Sequence, residues 1–119
     1  MIEAFYTDQF VLPLPAGHRF PMEKYRILRD KVSQSDCSIK LSIPPAASVG
    51  QLALAHCPAY VRRVETGDLS VNEQRDIGFP WSTAMVERSL RSVGATVAAV
   101  RSALQHGASV NLAGGTHHA

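Results

Sequence analysis

Apolar positions along this chain change period several times, and the changes mark out its elements. Ile2 to Tyr6 is a short apolar run that reads as a strand. Phe10 to Pro21 carries three prolines and Gly17, which predicts an irregular surface loop. Pro21 is suited to the first position of a helix, and Met22, Tyr25, Leu28 or Arg29, and Val32 follow at helical spacing. Ile39, Leu41 and Ile43 alternate with Lys40 and Ser42, a second strand stopped by Pro44-Pro45. Ser48-x-x-Gln51 has the form of a capping box, with Leu52 and Ala55 as the buried side of a short helix. Pro58 restarts a helix carrying Tyr60, Val61 and Val64, and Gly67 ends it.

A long helix follows, capped by Ser82 or Thr83. Val86, Leu90, Val93, Val97, Val100 and Leu104 form one apolar stripe along it, with Arg88, Arg91 and Arg101 outside. This stripe is expected to pack on the sheet, so that Asp at Val97 or Val100 disrupts folding and Asp at Arg101 is nearly silent. Glu87 and Arg91 are an i,i+4 pair worth roughly 0.2–0.5 kcal/mol. Gly94 costs about 1 kcal/mol relative to Ala in mid-helix. Its neighbours Ala95, Ala98 and Ala99 point to close packing against another backbone. Gly107 ends the helix, and Ala108 to Ala113 is a charge-free strand of the kind found centrally in parallel sheets. Alternating strands and helices give an α/β class with a parallel sheet.

Composition narrows the functional classes. The chain has 119 residues, one domain's worth, and 45% hydrophobic with 18% charged residues excludes a disordered chain. A net charge of +2 with scattered Lys and Arg gives no basis for nucleic-acid binding. Cys37 and Cys57 lack C-x-x-C spacing and are expected as reduced thiols. With neither a signal-peptide pattern nor an apolar run of spanning length, a soluble cytoplasmic protein of bacterial type without membrane association is expected.

The candidate chemistry lies in Asn111-Leu-Ala-Gly-Gly-Thr-His117-His118-Ala119. Two adjacent imidazoles follow a strand and a Gly-Gly turn, a position from which acid–base groups reach the crevice at a sheet's carboxyl edge. On spacing alone the same residues also read as a solvated tail. His56-Cys57 has no second ligand pair and reads as helix-end packing, His18 as a loop residue, and His106 as suited to the dipole at a helix C-terminus. Trp81 reads as packing or as a pocket rim, and Cys57 has no activating neighbour that would make it a nucleophile.

The Asn111–Ala119 segment resembles the histidine-pair motif of the histone deacetylase superfamily, which includes bacterial acetoin-utilisation proteins and acetylpolyamine amidohydrolases. Ser92-Val-Gly-Ala-Thr-Val-Ala-Ala99 is similar to the helix preceding that motif, and Ala55-His-Cys-Pro-Ala-Tyr-Val61 to a His-x-x-x-Tyr helix segment. Phe20-Pro-Met-Glu-Lys-Tyr-Arg26 resembles the His-Pro-x-x-x-x-Arg opening, with Phe20 in place of histidine. Gly78-Phe-Pro-Trp-Ser82 looks more like bacterial deacetylases near the class IV branch. The resemblance covers the whole chain but only the opening part of the family domain.

It implies the N-terminal part of a three-layer α/β/α, arginase/deacetylase-like domain, residues 1–119 being a single incomplete domain that ends at the His-His motif. It implies His118 as general base toward zinc-bound water and His117 as its charged partner. Arg26 matches a product-tunnel arginine, and also reads as a surface helix residue. The family's zinc ligands, an Asp-x-His pair and a later Asp, fall downstream of the motif. Asp8, Asp30, Asp36, Asp68 and Asp76 do not stand two before a histidine, so this chain is expected to hold no zinc alone. The expected function is that of the N-terminal portion of a zinc-dependent deacetylase acting on acylated lysine or acyl-amine substrates, inactive alone. The competing readings are a non-catalytic remnant or interaction module, and half of a split enzyme completed by a second chain. The exposed edge of the last strand implies self-association or a complementing C-terminal segment.

Overall fold

Strand β1 (Ile2–Phe5) is flanked by β2 (Ile39–Ser42) and β3 (Ser109–Asn111), both parallel to it, in the order β2-β1-β3. The computed structural model describes residues 1–115. Between the strands run α1 (Lys24–Ser33), α2 (Val49–Leu52), α3 (Pro58–Thr66), α4 (Val71–Ile77) and α5 (Thr83–His106). The α/β class with a parallel sheet is as expected. The charge-free last strand is shorter than expected, three residues, and among the described strands it pairs with β1 alone.

Register fixes which side chains share a face. Ile2 pairs with Ile39, and Ala4 with both Leu41 and Val110. In a parallel ladder paired residues point the same way, so these five apolar residues form one face. Glu3, Phe5, Ser109 and Asn111 form the other, where Phe5 packs on Ala95 and Ala99 of α5. The right-handed crossover rule puts α1 on the face opposite α5. Of the strands, α1 touches β2 alone.

Helix α5 packs by a different side from the one its large apolar residues indicate. Its buried residues are Met85, Arg88, Gly94, Ala95, Ala99 and Ser102. Val100 is 56% exposed and Leu104 83%. At 3.6 residues per turn the valine–leucine stripe lies nearly opposite the side that meets the sheet. Val86, Leu90 and Val93 face α3 and α4 instead, across an apolar cavity of about 270 Å³ shared with Tyr60, Val61 and Ile77. Small side chains win the sheet contact because they let the helix approach closely. A Cβ on Gly94 would fall on the carbonyl oxygen of Pro45 and lie 2.9 Å from the Ala47 nitrogen. The expected close packing around Gly94 is therefore present, against the Pro45–Ala47 backbone.

Local signals set several helix ends. Ser48 and Ser70 each close a capping box, with Gln51 and Glu73. Gly67, at φ 78°, ends α3, and Ser82 caps α5 by accepting from the Met85 N–H at 2.9 Å. Pro21 does not open α1: a turn intervenes and the helix begins at Lys24. Helix α4 has no counterpart in the periodicity reading, because a seven-residue helix offers too few apolar positions to show a period.

Candidate functional site

The chain leaving β3 is held by side chains rather than left to fray. Asn111 donates from Nδ2 to the Ser92 carbonyl at 3.1 Å and to Thr96 Oγ1 at 2.9 Å. Its Oδ1 accepts from the Ala113 N–H at 2.9 Å, closing an Asx turn. Ser92 donates from Oγ to the Ala113 carbonyl at 3.0 Å, and the Leu112 N–H donates to the Phe5 carbonyl at 2.9 Å. Ala113 is buried. The backbone is thus fixed against both α5 and β1 immediately before Gly114-Gly115, at the carboxyl edge of the sheet.

Gly114 and Gly115 line a cavity of about 280 Å³ with Phe20, Tyr25, Phe79 and Arg88. The aromatic wall comes from two loops and a helix: Phe79 lies 5.2 Å edge-on from Phe20, whose ring is 6.2 Å from Tyr25. Arg88, only 8% exposed, is the buried cation of this wall. Its Nη1 donates to the carbonyls of Thr7 at 3.3 Å and Phe10 at 3.1 Å, and its guanidinium lies 4.5 Å from the Tyr25 ring centre. Burial pushes its pKa below the ordinary arginine value, opposed by Tyr25 and Asp8. Arg88 lies off the valine–leucine stripe, as expected, but its side of α5 is the one that meets the sheet, shared with Met85, Ala95 and Ala99. Reading the small residues as the buried side would have found it in the sequence.

His117 and His118, the expected acid–base pair, lie outside the described residues. Arg26 is exposed, pairs with Asp30 at 3.2 Å, and faces an open groove with Asp8 and His18 rather than the cavity bounded by Gly114. His18 accepts at Nδ1 from the Phe20 N–H at 3.2 Å. Cys37 and Cys57 are free and exposed. Cys57 stands before Pro58 at the start of α3, where the backbone N–H groups of Tyr60 and Ala59 lower its pKa, helped by Arg63 and Arg62. Trp81 packs rather than rims a pocket: its indole N–H donates to the Val64 carbonyl at 2.6 Å, and its ring covers Gly67. Among the described residues, no three His, Cys, Asp or Glu side chains converge as metal ligands, so these residues do not fit a zinc ion. No described helix is long and apolar enough to cross a membrane.

Two comparisons bear on this arrangement. The family model described as histone deacetylase domain matches residues 18–119. An uncharacterized protein of Picosynechococcus sp. is 42% identical over 119 residues, a match that covers 96% of this chain and 39% of that protein. The chain thus spans about two-fifths of the length of the relative it matches.

Proposed function

The chain belongs to the histone deacetylase family, and we propose that it forms the N-terminal portion of a zinc-dependent deacetylase. In this reading the whole enzyme is an amide hydrolase acting on acetyl-lysine or acetyl-amine substrates, and its metal ligands come from sequence outside residues 1–119. His118 is the general base, His117 its charged partner, and Arg26 the arginine of the product tunnel. Residues 1–119 form one incomplete domain.

The observation that carries this reading is the anchoring of the β3 exit. Asn111, Ser92 and Thr96 fix the backbone through Ala113, two glycines short of the Thr-His-His sequence. A base must be held within hydrogen-bond reach of the proton it takes, and a clamped strand exit supplies that constraint where a free tail does not. The aromatic cavity beside Gly114 and Gly115 supports the same reading, since such walls hold an apolar acyl group and exclude water.

Acetate release from an acetyl-lysine peptide tests it. The chain alone should neither release acetate nor retain zinc stoichiometrically. The chain joined to the remainder of the relative's sequence should do both. In that joined protein His118→Ala should lower turnover by about 100-fold or more, with zinc content near normal, since proton transfer is worth roughly that factor. Turnover by the short chain alone, or zinc loss on changing His118, would overturn these roles. No turnover in the joined protein would favour the non-catalytic interaction module.

A further inference from the structure

We propose that the cavity between the C-terminal half of α5 and the segment following β2 is a binding site for a small zwitterion of the amino-acid class. Its volume is about 440 Å³, and Glu3, Pro45, Gln51, Arg101, Ser102 and Gln105 are among the residues lining it. Small-molecule sites commonly offer about 300–1,000 Å³, whereas one water takes about 30 Å³ of liquid. The fold itself assembles this space. Glu3 shares its sheet face with Phe5, on which Ala99 packs, and Ser102 stands one turn further along the same side of α5. At the near end of the α5 wall, Gly94 admits the Pro45 carbonyl against the helix. Ser92 binds the Ala113 carbonyl at the carboxyl edge of the sheet, and Ser102 follows it about 15 Å along the helix axis. The cavity therefore lies toward the amino ends of the strands, and it shares no lining residue with the one beside Gly114 and Gly115.

Three groups in the cavity are uncommitted, and their chemistry is complementary to such a ligand. Ser42 and Lys40 both approach Oε2 of Glu3, at 2.7 and 3.5 Å, which leaves Oε1 open as an acceptor. Ser102 is only 5% exposed, and its Oγ has no hydrogen-bond partner among the described residues, although it lies near enough to help depress the Glu3 pKa. A buried hydroxyl left unpaired is costly, and a donor lodged beside Glu3 would satisfy it. Arg101 is exposed and makes no ion pair among the described residues. An ammonium group can thus donate to Glu3 Oε1 and Ser102 Oγ, while a carboxylate accepts from the Arg101 guanidinium, with the Gln51 and Gln105 amides as further donors. One fixed charge of each sign also decides what is refused. A lone anion is opposed by Glu3 and a lone cation by Arg101, and an apolar molecule would leave Ser102 unpaired.

The proposal is independent of the deacetylase reading, in which no group of this cavity takes part. Saturation-transfer NMR and equilibrium dialysis on the chain test it, with γ-aminobutyrate and L-alanine as probes. Saturable binding of at least one is expected, with n-butylamine and butyrate about tenfold weaker or more, since each loses one charged contact. Arg101→Gln should weaken the amino acid about tenfold, and because Arg101 is exposed the circular dichroism should not change. Ser102→Ala should weaken it about fivefold, the loss of one hydrogen bond to a charged group. Leu54→Ser, at a remote exposed site, should leave binding as it is. Failure of both amino acids to bind saturably would overturn the proposal and leave the cavity to water. So would n-butylamine binding as tightly as γ-aminobutyrate, or binding indifferent to both Arg101→Gln and Ser102→Ala.

Discussion

Replacing Arg88 by Met would keep most of the side-chain volume while removing the donor that serves the Thr7 and Phe10 carbonyls. A loss of about 1–3 kcal/mol in a urea titration is expected, the cost of leaving buried acceptors unpaired. Gly94→Ala tests a different force at the same scale. Helix propensity alone favours Ala by about 1 kcal/mol. The added methyl would meet the Pro45 carbonyl and the Ala47 nitrogen, so we expect net destabilisation of about 1–3 kcal/mol, the usual cost of overpacking. A stabilised Gly94→Ala protein would show that this helix–loop contact is looser than described. Glu3 sets an acid limit. The Ser42 hydroxyl donates to its carboxylate at 2.7 Å and Lys40 lies 3.5 Å away, which hold its pKa below the ordinary carboxylate value. Its contribution is therefore fully present above the unfolded carboxylate pKa and is lost as pH falls through the lower, folded value. Glu3→Gln should flatten the acid side of a stability-versus-pH profile, and an unchanged profile would remove Glu3 from the account.

Helix α5 shows how much of an element can be read from its residues. Its length, the Ser82 cap and the Glu87–Arg91 pair at 3.0 Å were legible because each depends on neighbours in sequence, and the close approach at Gly94 because the glycine and its alanine neighbours leave room for one. The side that meets the sheet was not. A period search weights Val and Leu, yet the sheet selects the side that can come closest, and that side carries Ala95, Ala99 and Ser102. Val100→Asp should accordingly change stability by no more than about 0.5 kcal/mol, the range of exposed positions. Ala99→Asp should cost about 3 kcal/mol or more, because it buries a charge against Phe5. Equal effects would mean that the helix is rotated from its described position. The candidate site divides in the same way. The turn from Asn111 to Gly115 was readable as a local motif, whereas the cavity wall draws Phe20, Tyr25, Phe79 and Arg88 from separate stretches that only the fold brings together.

At the scale of the whole chain, the described residues give three parallel strands with α5 on one face, while on the other α1 reaches β2 alone. The chain in isolation should unfold with low cooperativity or self-associate, as measured by calorimetry and light scattering across a dilution series. A sharp transition from a strict monomer would count against an incomplete domain. The fold also divides the work of α5 between two partners, the sheet on one side and the α3–α4 layer on the other. The lone tryptophan reports on only one of them. Trp81 is clasped to α3 through the Val64 carbonyl and the Gly67 backbone, and it is not among the residues that line the β3 turn. Its emission is thus a built-in optical gauge of the helical layer, while far-ultraviolet dichroism averages over the whole chain. If the two signals separate during denaturation, the order in which they change tells which half of the molecule lets go first, without any label being added.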